Sequence, residues 1–419
     1  MSKYIVNGRK RLEGELSVQG AKNSALPIMA ACVLNSGETV LHNVPDILDV
    51  RIMVKILTSI GCTIKRDNVD LSINARGLTS NLVSEQLVSQ MRSSIMLLGA
   101  LIAQQKVVQF SFPGGCDIGL RPIDIHLKGL RDLGADVREE HGFIMVDGSG
   151  ISANNIILNY PSVGATENLI LATIFAPGVT SISNAAKEPE IIDLQNFLNG
   201  MGARVYGAGT NTIYVEGVEK LHDSEYTIMA DRIVAGTMLC AVNITGGRVF
   251  FKDLPLDVIK APYFKLMETG MQIQPSSGGI VAESAGKIKA VDSIITQPFP
   301  GFPTDLQSPF AAMLTLAEGT SVIKEAVFEN RYKYTVQLAR MGANIKTEDR
   351  IAIITGVKRL GSACVYAEDL RGGAALIVAA LAAEGTSVIE NAYHINRGYD
   401  NLASQIRSIG GEAVYVDES

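Results

Sequence analysis

Cysteine is scarce in this chain and widely dispersed. The five residues, Cys32, Cys62, Cys116, Cys240 and Cys364, form no CxxC pair and have no nearby histidine. That spacing argues against zinc motifs and disulfide frameworks and fits a reducing compartment. Four of the five stand in apolar or strand-like sequence and are expected to be small core residues, which leaves Cys116 as the exception. Long apolar runs are missing too: none reaches the roughly 18 residues needed to span a bilayer. Met1-Ser2-Lys3-Tyr4 leads straight into polar, strand-like sequence, so no signal peptide is expected. Nor is one sign of charge in large excess. A net charge of −6 argues against nucleic acid as a default partner and requires any anionic substrate to be held by local cations. With 47% apolar and 19% charged residues the composition is that of a well-packed globular protein. A length of 419 residues leaves room for two or three domains, and the expected location is the cytoplasm.

What the chain does have is a period. A short pattern of helix end, glycine and strand recurs around Gly61, Gly134, Gly202, Gly270, Gly342 and Gly410. The spacing is about 70 residues throughout, which marks six copies of one unit. After each glycine come two alternating strands, as at 344–347 and 351–354, then an apolar helix, as at 373–380. A Gly-Thr-Ser-Val-Ile type strand follows (319–323, 385–389), and an amphipathic helix such as 334–340 runs to the next glycine. The two helix types differ physically. The second has one polar face, as a surface helix should. The first is apolar nearly all round, as at 95–101 and 170–175, so it must be buried on every side. Buried helices ringed by half-exposed sheets give an inside-out α/β arrangement. Strands at 4–8 and 15–19 have no glycine-headed unit before them, and the last unit stops after one strand at 414–416. Pairing of the two chain ends closes the pattern, so one domain is expected to be discontinuous: residues 1–21 with 230–419, and 22–229 as the second.

The residues that open the six apolar helices form a second pattern. They are Ala21-Lys22-Asn23-Ser24, Met91-Arg92-Ser93, Ser162-Val163-Gly164-Ala165-Thr166, Asp231-Arg232-Ile233, Pro303-Thr304-Asp305 and Asp369-Leu370-Arg371. Helix N-termini offer unpaired N–H groups and a positive dipole end, which suit phosphates and carboxylates. Ordinary capping is expected to account for Ser94 and Thr304. It does not account for Lys22, Arg92, Arg232 and Arg371, because the dipole disfavours cations there; these point to an anion site. A further segment, Pro113-Gly114-Gly115-Cys116-Asp117-Ile118-Gly119-Leu120-Arg121-Pro122, is a glycine-punctuated loop with a thiol and an arginine. Glycines allow such a loop to close over a ligand, and a nearby arginine tunes the thiol.

These motifs, with Phe302-Pro303-Thr304-Asp305, Phe328-Glu329-Asn330-Arg331 and His394-Ile395 followed by Arg397-Gly398-Tyr399, resemble the UDP-N-acetylglucosamine 1-carboxyvinyltransferase (enolpyruvyl transferase) family along the full chain. The resemblance implies two inside-out α/β domains of three repeats each, with the active site in the cleft between them. It implies transfer of the enolpyruvyl group of phosphoenolpyruvate to the 3-hydroxyl of UDP-N-acetylglucosamine with release of phosphate, and neither cofactor nor metal. Lys22, Arg121 and Arg397 would hold phosphoenolpyruvate; Asn23 and Asp305 would meet the sugar, Asp305 as base at the hydroxyl. Arg92, Pro122, Ile123, Asp124, Ile125, Ser162 and Val163 would line the nucleotide side, and Val327 would contact the acetamido group by its backbone. Arg331, Asp369 and Arg371 would complete the charged floor, with Lys22, Asp369 and Arg397 among the catalytic groups and Arg232 among the substrate-binding ones. Cys116 would donate the proton to the enol methylene and form a phospholactoyl adduct. The implied partners are the two small-molecule substrates, with no nucleic acid or membrane, in a monomer or weak homo-oligomer.

One departure from the family pattern is Tyr160-Pro161, where many members carry a diphosphate-binding Lys two residues before Ser-Val-Gly-Ala-Thr. Three other readings compete. A sister enolpyruvyl transferase acting on shikimate 3-phosphate shares the repeats and cations but is not expected to carry Pro-Gly-Gly-Cys. A non-catalytic UDP-sugar sensor would fit loss of Asp305, Cys116 or Lys22, yet all three are present. A purely structural repeat protein gives no reason to gather cations and carboxylates at helix starts.

Overall fold

A computed structural model describes residues 2–114 and 123–417 of the chain. They divide into two compact units, one of residues 2–19 with 230–417, the other of residues 20–114 with 123–229. Each unit carries three four-stranded sheets and three helices buried along almost their whole length. This is the inside-out α/β architecture of six repeats.

One repeat shows how the sequence dictates the arrangement. Strand Ser293–Ile295 runs parallel to Thr320–Lys324, which pairs antiparallel with Ile351–Thr355, and that strand pairs antiparallel with Asn344–Glu348. A parallel pair needs a crossover connection, and helix Gln307–Leu314 supplies it. Every residue of that helix is buried, so the crossover forms the core. The hairpin pair needs only the short turn at Asp349, which has positive φ. Side chains alternate across the sheet: Ala352 and Ile354 face inward and are fully buried, while Ile351 and Ile353 face outward and are exposed.

All six repeat glycines adopt positive φ, between 84° and 109°. In every case the following residue donates its N–H to the carbonyl five residues back, as Cys62 to Leu57 and Ala343 to Leu338, and the glycine donates to the carbonyl three residues back. This is the Schellman helix stop, in which an L-residue with a Cβ is strained at the glycine position. The period read in the sequence is therefore one backbone device used six times.

Closure at the ends follows the same logic. Strand Ser2–Asn7 lies between Thr386–Glu390 and Glu412–Asp417, antiparallel to both, and fills the place that the last repeat lacks. Strand Leu12–Ser17 serves a different sheet, parallel to Gly247–Lys252. In the other unit, Ser224–Thr227 returns to pair parallel with Glu38–His42. Cys32, Cys62 and Cys240 are core residues as expected, but Cys364 is exposed. Strand Cys364–Tyr366 buries only Val365, so the alternation turns Cys364 outward.

Candidate active site

In the unit of residues 2–19 and 230–417, two helix starts and a loop arginine meet at one carboxylate. Asp305 lies in a single 3-10 turn, Thr304–Leu306, ahead of helix Gln307–Leu314. Arg331 donates through Nη2 to its Oδ1 (2.7 Å), and Arg371 donates through Nε and Nη2 to its Oδ2 (3.1 and 2.9 Å). Both arginines are at least nine-tenths buried, whereas about a quarter of the Asp305 side chain stays open to solvent. Burial alone would raise the Asp305 carboxyl. The charges of Arg371 and then Arg331 outweigh it, with their hydrogen bonds, and hold the group well below the usual carboxylate range. Asp305 is thus ionised at any physiological pH. Among the described residues, Arg331 Nε and Arg371 Nη1 have no hydrogen-bond partner although both are buried. Two charged donors with unmet capacity beside one carboxylate can take a second anion.

The surrounding groups fix these arginines. Asp369 caps helix Leu370–Ala382, its Oδ1 accepting from the N–H groups of Arg371 and Gly372 (both 2.9 Å). Asp231 caps helix Arg232–Thr245 in the same way, accepting from Ile233 and Val234. Its charge adds to the pull of Asp305 on the Arg371 proton. The Tyr399 ring faces the Arg371 guanidinium at 5.5 Å, and its hydroxyl lies 2.9 Å from Thr237 Oγ1. Arg331 stands over the Phe328 ring, and Arg232 over Phe299. Arg397 follows the short helix Tyr393–Asn396, half-buried. Gln19 steadies that segment by donating to the Gly398 carbonyl (3.2 Å) and accepting from the Asp400 N–H (2.7 Å). Val327 is half-buried, and its N–H is fixed by Glu325 Oε1 at 2.9 Å.

In the other unit, Lys22 is the first residue of helix Lys22–Ala31 and is paired with the buried Asp49 at 2.6 Å. That carboxylate offsets the cost of a cation at a helix start. Asn23 beside it is half-buried. Ser162 caps helix Val163–Thr173 by accepting from the Ala165 N–H. Arg92, Ile123, Asp124 and Ile125 line one cavity of about 510 Å³ with Asn159, so the Arg92 turn and the approach to Ser162 meet there. Lys22 is not among its lining residues. Arg92 also donates to the Pro113 carbonyl at 3.4 Å, and Gly114 donates to the Val88 carbonyl. A Cβ on Gly114 would stand 1.5 Å from the Ser89 carbonyl oxygen, so only glycine fits. Cys116, Arg121 and Pro122 lie outside the described residues.

Two capping expectations are corrected. Ser94 donates from its hydroxyl to the Met91 carbonyl (2.7 Å), stabilising the preceding turn rather than accepting from a helix N–H. Thr304 caps nothing either: its Oγ1 accepts from Arg331 Nη1 (2.6 Å) and donates to Glu325 Oε2 (2.8 Å). Sequence reasoning missed Glu325, Asp49 and Gln19, whose roles arise from contacts distant in sequence. His394 stands beside this site in the His394-Ile395 motif. It is half-buried, its Nδ1 has no hydrogen-bond partner among the described residues, and burial with the Arg397 charge lowers its proton affinity against the pull of Asp369.

Known proteins share this architecture. The profile of the EPSP synthase (3-phosphoshikimate 1-carboxyvinyltransferase) family matches residues 6–406. UDP-N-acetylglucosamine 1-carboxyvinyltransferase 2 of Caldanaerobacter subterraneus subsp. tengcongensis is 52% identical over 99% of this chain and 100% of its own. The UDP-N-acetylglucosamine 1-carboxyvinyltransferase of Trichlorobacter lovleyi is 43% identical over the full length of both. In fold, the chain resembles the enolpyruvyl transferase NikO from Streptomyces tendae, with TM-score 0.88 and 22% identity over 99% of each chain. It also resembles EPSP synthase from Acinetobacter baumannii, with TM-score 0.74 and 19% identity over all of both chains. The chain is therefore an enzyme of the EPSP synthase family and belongs to its UDP-N-acetylglucosamine 1-carboxyvinyltransferase branch.

Proposed function

We propose that this enzyme transfers the enolpyruvyl group of phosphoenolpyruvate to the 3-hydroxyl of UDP-N-acetylglucosamine, releasing phosphate, as the first committed step of peptidoglycan precursor synthesis in the cytoplasm. The observation that carries the site assignment is the ionised Asp305 between two buried arginines that each keep an unpartnered N–H.

In this reading Asp305 takes the proton of the sugar hydroxyl while its oxygen attacks C2 of the enol. A carboxylate held so far down is a weak base by itself. An anionic substrate group placed on the spare N–H groups of Arg331 and Arg371 weakens their pull on Asp305 and raises its basicity when the substrate is present. The Cys116 thiol gives its proton to the methylene carbon, leaving a methyl group on a tetrahedral carbon. Loss of a proton from that methyl and departure of phosphate restore the double bond. Lys22, Arg121 and Arg397 are the cations we assign to phosphoenolpyruvate, with Asp369 and Arg397 in catalytic roles. Asn23 and Val327 are assigned to the amino sugar, and Arg232 to substrate binding. The cavity at Arg92, Ile123, Asp124 and Ile125, with Ser162 and Val163, is assigned to the nucleotide. Arg92 supports diphosphate contact where Tyr160 replaces a lysine.

The test is phosphate release from phosphoenolpyruvate with two acceptors. Turnover with UDP-N-acetylglucosamine and none with shikimate 3-phosphate is expected; the reverse overturns the reading. Cys116→Asp should keep turnover and resist inactivation by iodoacetamide, whereas full activity in Cys116→Ala excludes the proton-donor role.

A further inference from the structure

Glu325 breaks a rule that four of the other five repeats keep; in the fifth, Phe112 follows strand Val107–Ser111. The residue following the central parallel strand is Asn43, Asn184, Asp253 or Asn391 in four repeats, each with φ between 54° and 57°. Asn43 and Asn184 use that position to donate to the carbonyl just past the neighbouring parallel strand, at Ile228 and Leu158. Strand Thr320–Lys324 is instead followed by Glu325, which is 1% exposed and has no positive φ. Its carboxylate still reaches the end of the neighbouring strand, but as an acceptor. Oε1 accepts from Thr296 Oγ1 (2.7 Å) and from the N–H groups of Val327 (2.9 Å) and Phe328 (3.1 Å). Oε2 accepts from Thr304 Oγ1 (2.8 Å), which accepts in turn from Arg331 Nη1 (2.6 Å), and Arg331 Nη2 holds Asp305 (2.7 Å). A hydrogen-bonded chain thus runs from the backbone at Val327 to the Asp305 carboxylate with every donor matched to an acceptor.

Resting on the function proposed above, we propose that Glu325 and Thr304 are positioning residues which lock Val327, the contact for the 2-acetamido group, and Asp305, the base for the adjacent 3-hydroxyl, into one arrangement. The two sugar substituents sit on neighbouring carbons, so one rigid frame can set both. A fold-repair role alone would be met by an asparagine, as Asn43 and Asn184 meet it in their repeats. The glutamate adds the second oxygen that Thr304 requires.

Thr304→Val removes the relay and leaves the Val327 turn capped. Glu325→Gln keeps an oxygen for Thr296, Val327 and Phe328 but puts an NH₂ group against Thr304, so the threonine hydroxyl loses its acceptor. Each variant should lower kcat about 10- to 100-fold, the range for a lost hydrogen bond to a charged group, with KM for UDP-N-acetylglucosamine changed less than about threefold. The double variant should be no worse than either single one, since both cut one chain. Thr304→Ser should restore kcat to within about threefold of the unmodified enzyme. The acid limb of the kcat profile should move upward in Thr304→Val as Arg331 loosens from Asp305. If Thr304→Val does not fold by circular dichroism, Glu325→Gln and Thr304→Ser carry the same comparison. Unchanged kcat, or losses that multiply in the double variant, overturn the relay. Absence of turnover in the unmodified protein overturns the proposed function as well and is seen before any variant is made.

Discussion

Removing a functional carboxylate often stabilises a protein by relieving strain, but Asp305→Ala should do the reverse here. Asp305 is the shared acceptor of three N–H bonds from Arg331 and Arg371. Without it two guanidinium groups, 94% and 97% buried by side chain, face each other with one further unpartnered N–H apiece. Breaking a buried pair by deleting one partner costs about 3–5 kcal/mol. Asp305 itself is 24% exposed, so water screens part of the loss and about 2 kcal/mol is the expected net. For a unit of roughly 200 residues that is a fall in Tm of about 4–8 °C. Calorimetry at pH 7 should show it in the transition of the unit containing residues 230–417, and inorganic phosphate should recover part of it by supplying the missing anion. The pH dependence follows from the depressed carboxyl. Its stabilisation is complete above the ordinary value of 3.8 and is lost as pH falls below that toward the folded-state value. The gap between the parent and Asp305→Ala should therefore narrow on acidification below pH 4. An unchanged or higher Tm in the variant would refute the view that this carboxylate neutralises the two arginines.

Three further outcomes test other parts of the structure. Gly342→Ala introduces a Cβ that meets nothing within 4 Å, so its cost should be the backbone strain at φ +95° alone, about 1–2 kcal/mol in urea unfolding. His42 is pinned by Glu225 (2.7 Å) and Asp70 (3.0 Å), whose hydrogen bonds raise its pKa above 6.5. Its contribution is full below pH 6.5 and disappears as pH rises through the folded value, so His42→Gln should lower Tm at pH 5.5 more than at pH 9. Glu167 is fully buried with neither oxygen partnered among the described residues, and burial with the nearby Glu190 and Glu188 raises its carboxyl well above 4.5. The folded state holds that proton longer than the unfolded one, so stability declines as pH climbs above 4.5. Glu167→Gln should remove this slope and melt higher than the parent at pH 8.

The periodic features of this fold were legible in the sequence because each rests on local chemistry. The six glycines mark helix stops that require positive φ, and the all-apolar helices announce burial. The orphan strands at the two ends predicted their own pairing, seen in Ser2–Asn7 against Glu412–Asp417. Asp231 and Asp369 also stand where capping chemistry places an aspartate. Thr304 did not follow that rule, because Arg331 lies 27 residues away in sequence and competes successfully for its hydroxyl. Asp49 and Glu325 gave no local signal of function, since each is defined by what it meets across the fold. Comparison of the repeats would have singled out Glu325, the glutamate in a position otherwise held by asparagine or aspartate in four repeats. Cys364 shows a different limit: strand alternation fixes which residues share a face but not which face is inward until the neighbouring strands are known.

The most direct measurement of the central claim is the structure of the product made from phosphoenolpyruvate and UDP-N-acetylglucosamine. Two-dimensional NMR of the purified nucleotide sugar should show an enol ether joined through oxygen to C3 of the sugar, formed in equal amount to the phosphate released and absent with Asp305→Asn. An ether at another sugar position, or phosphate release with the sugar unchanged, would contradict the account.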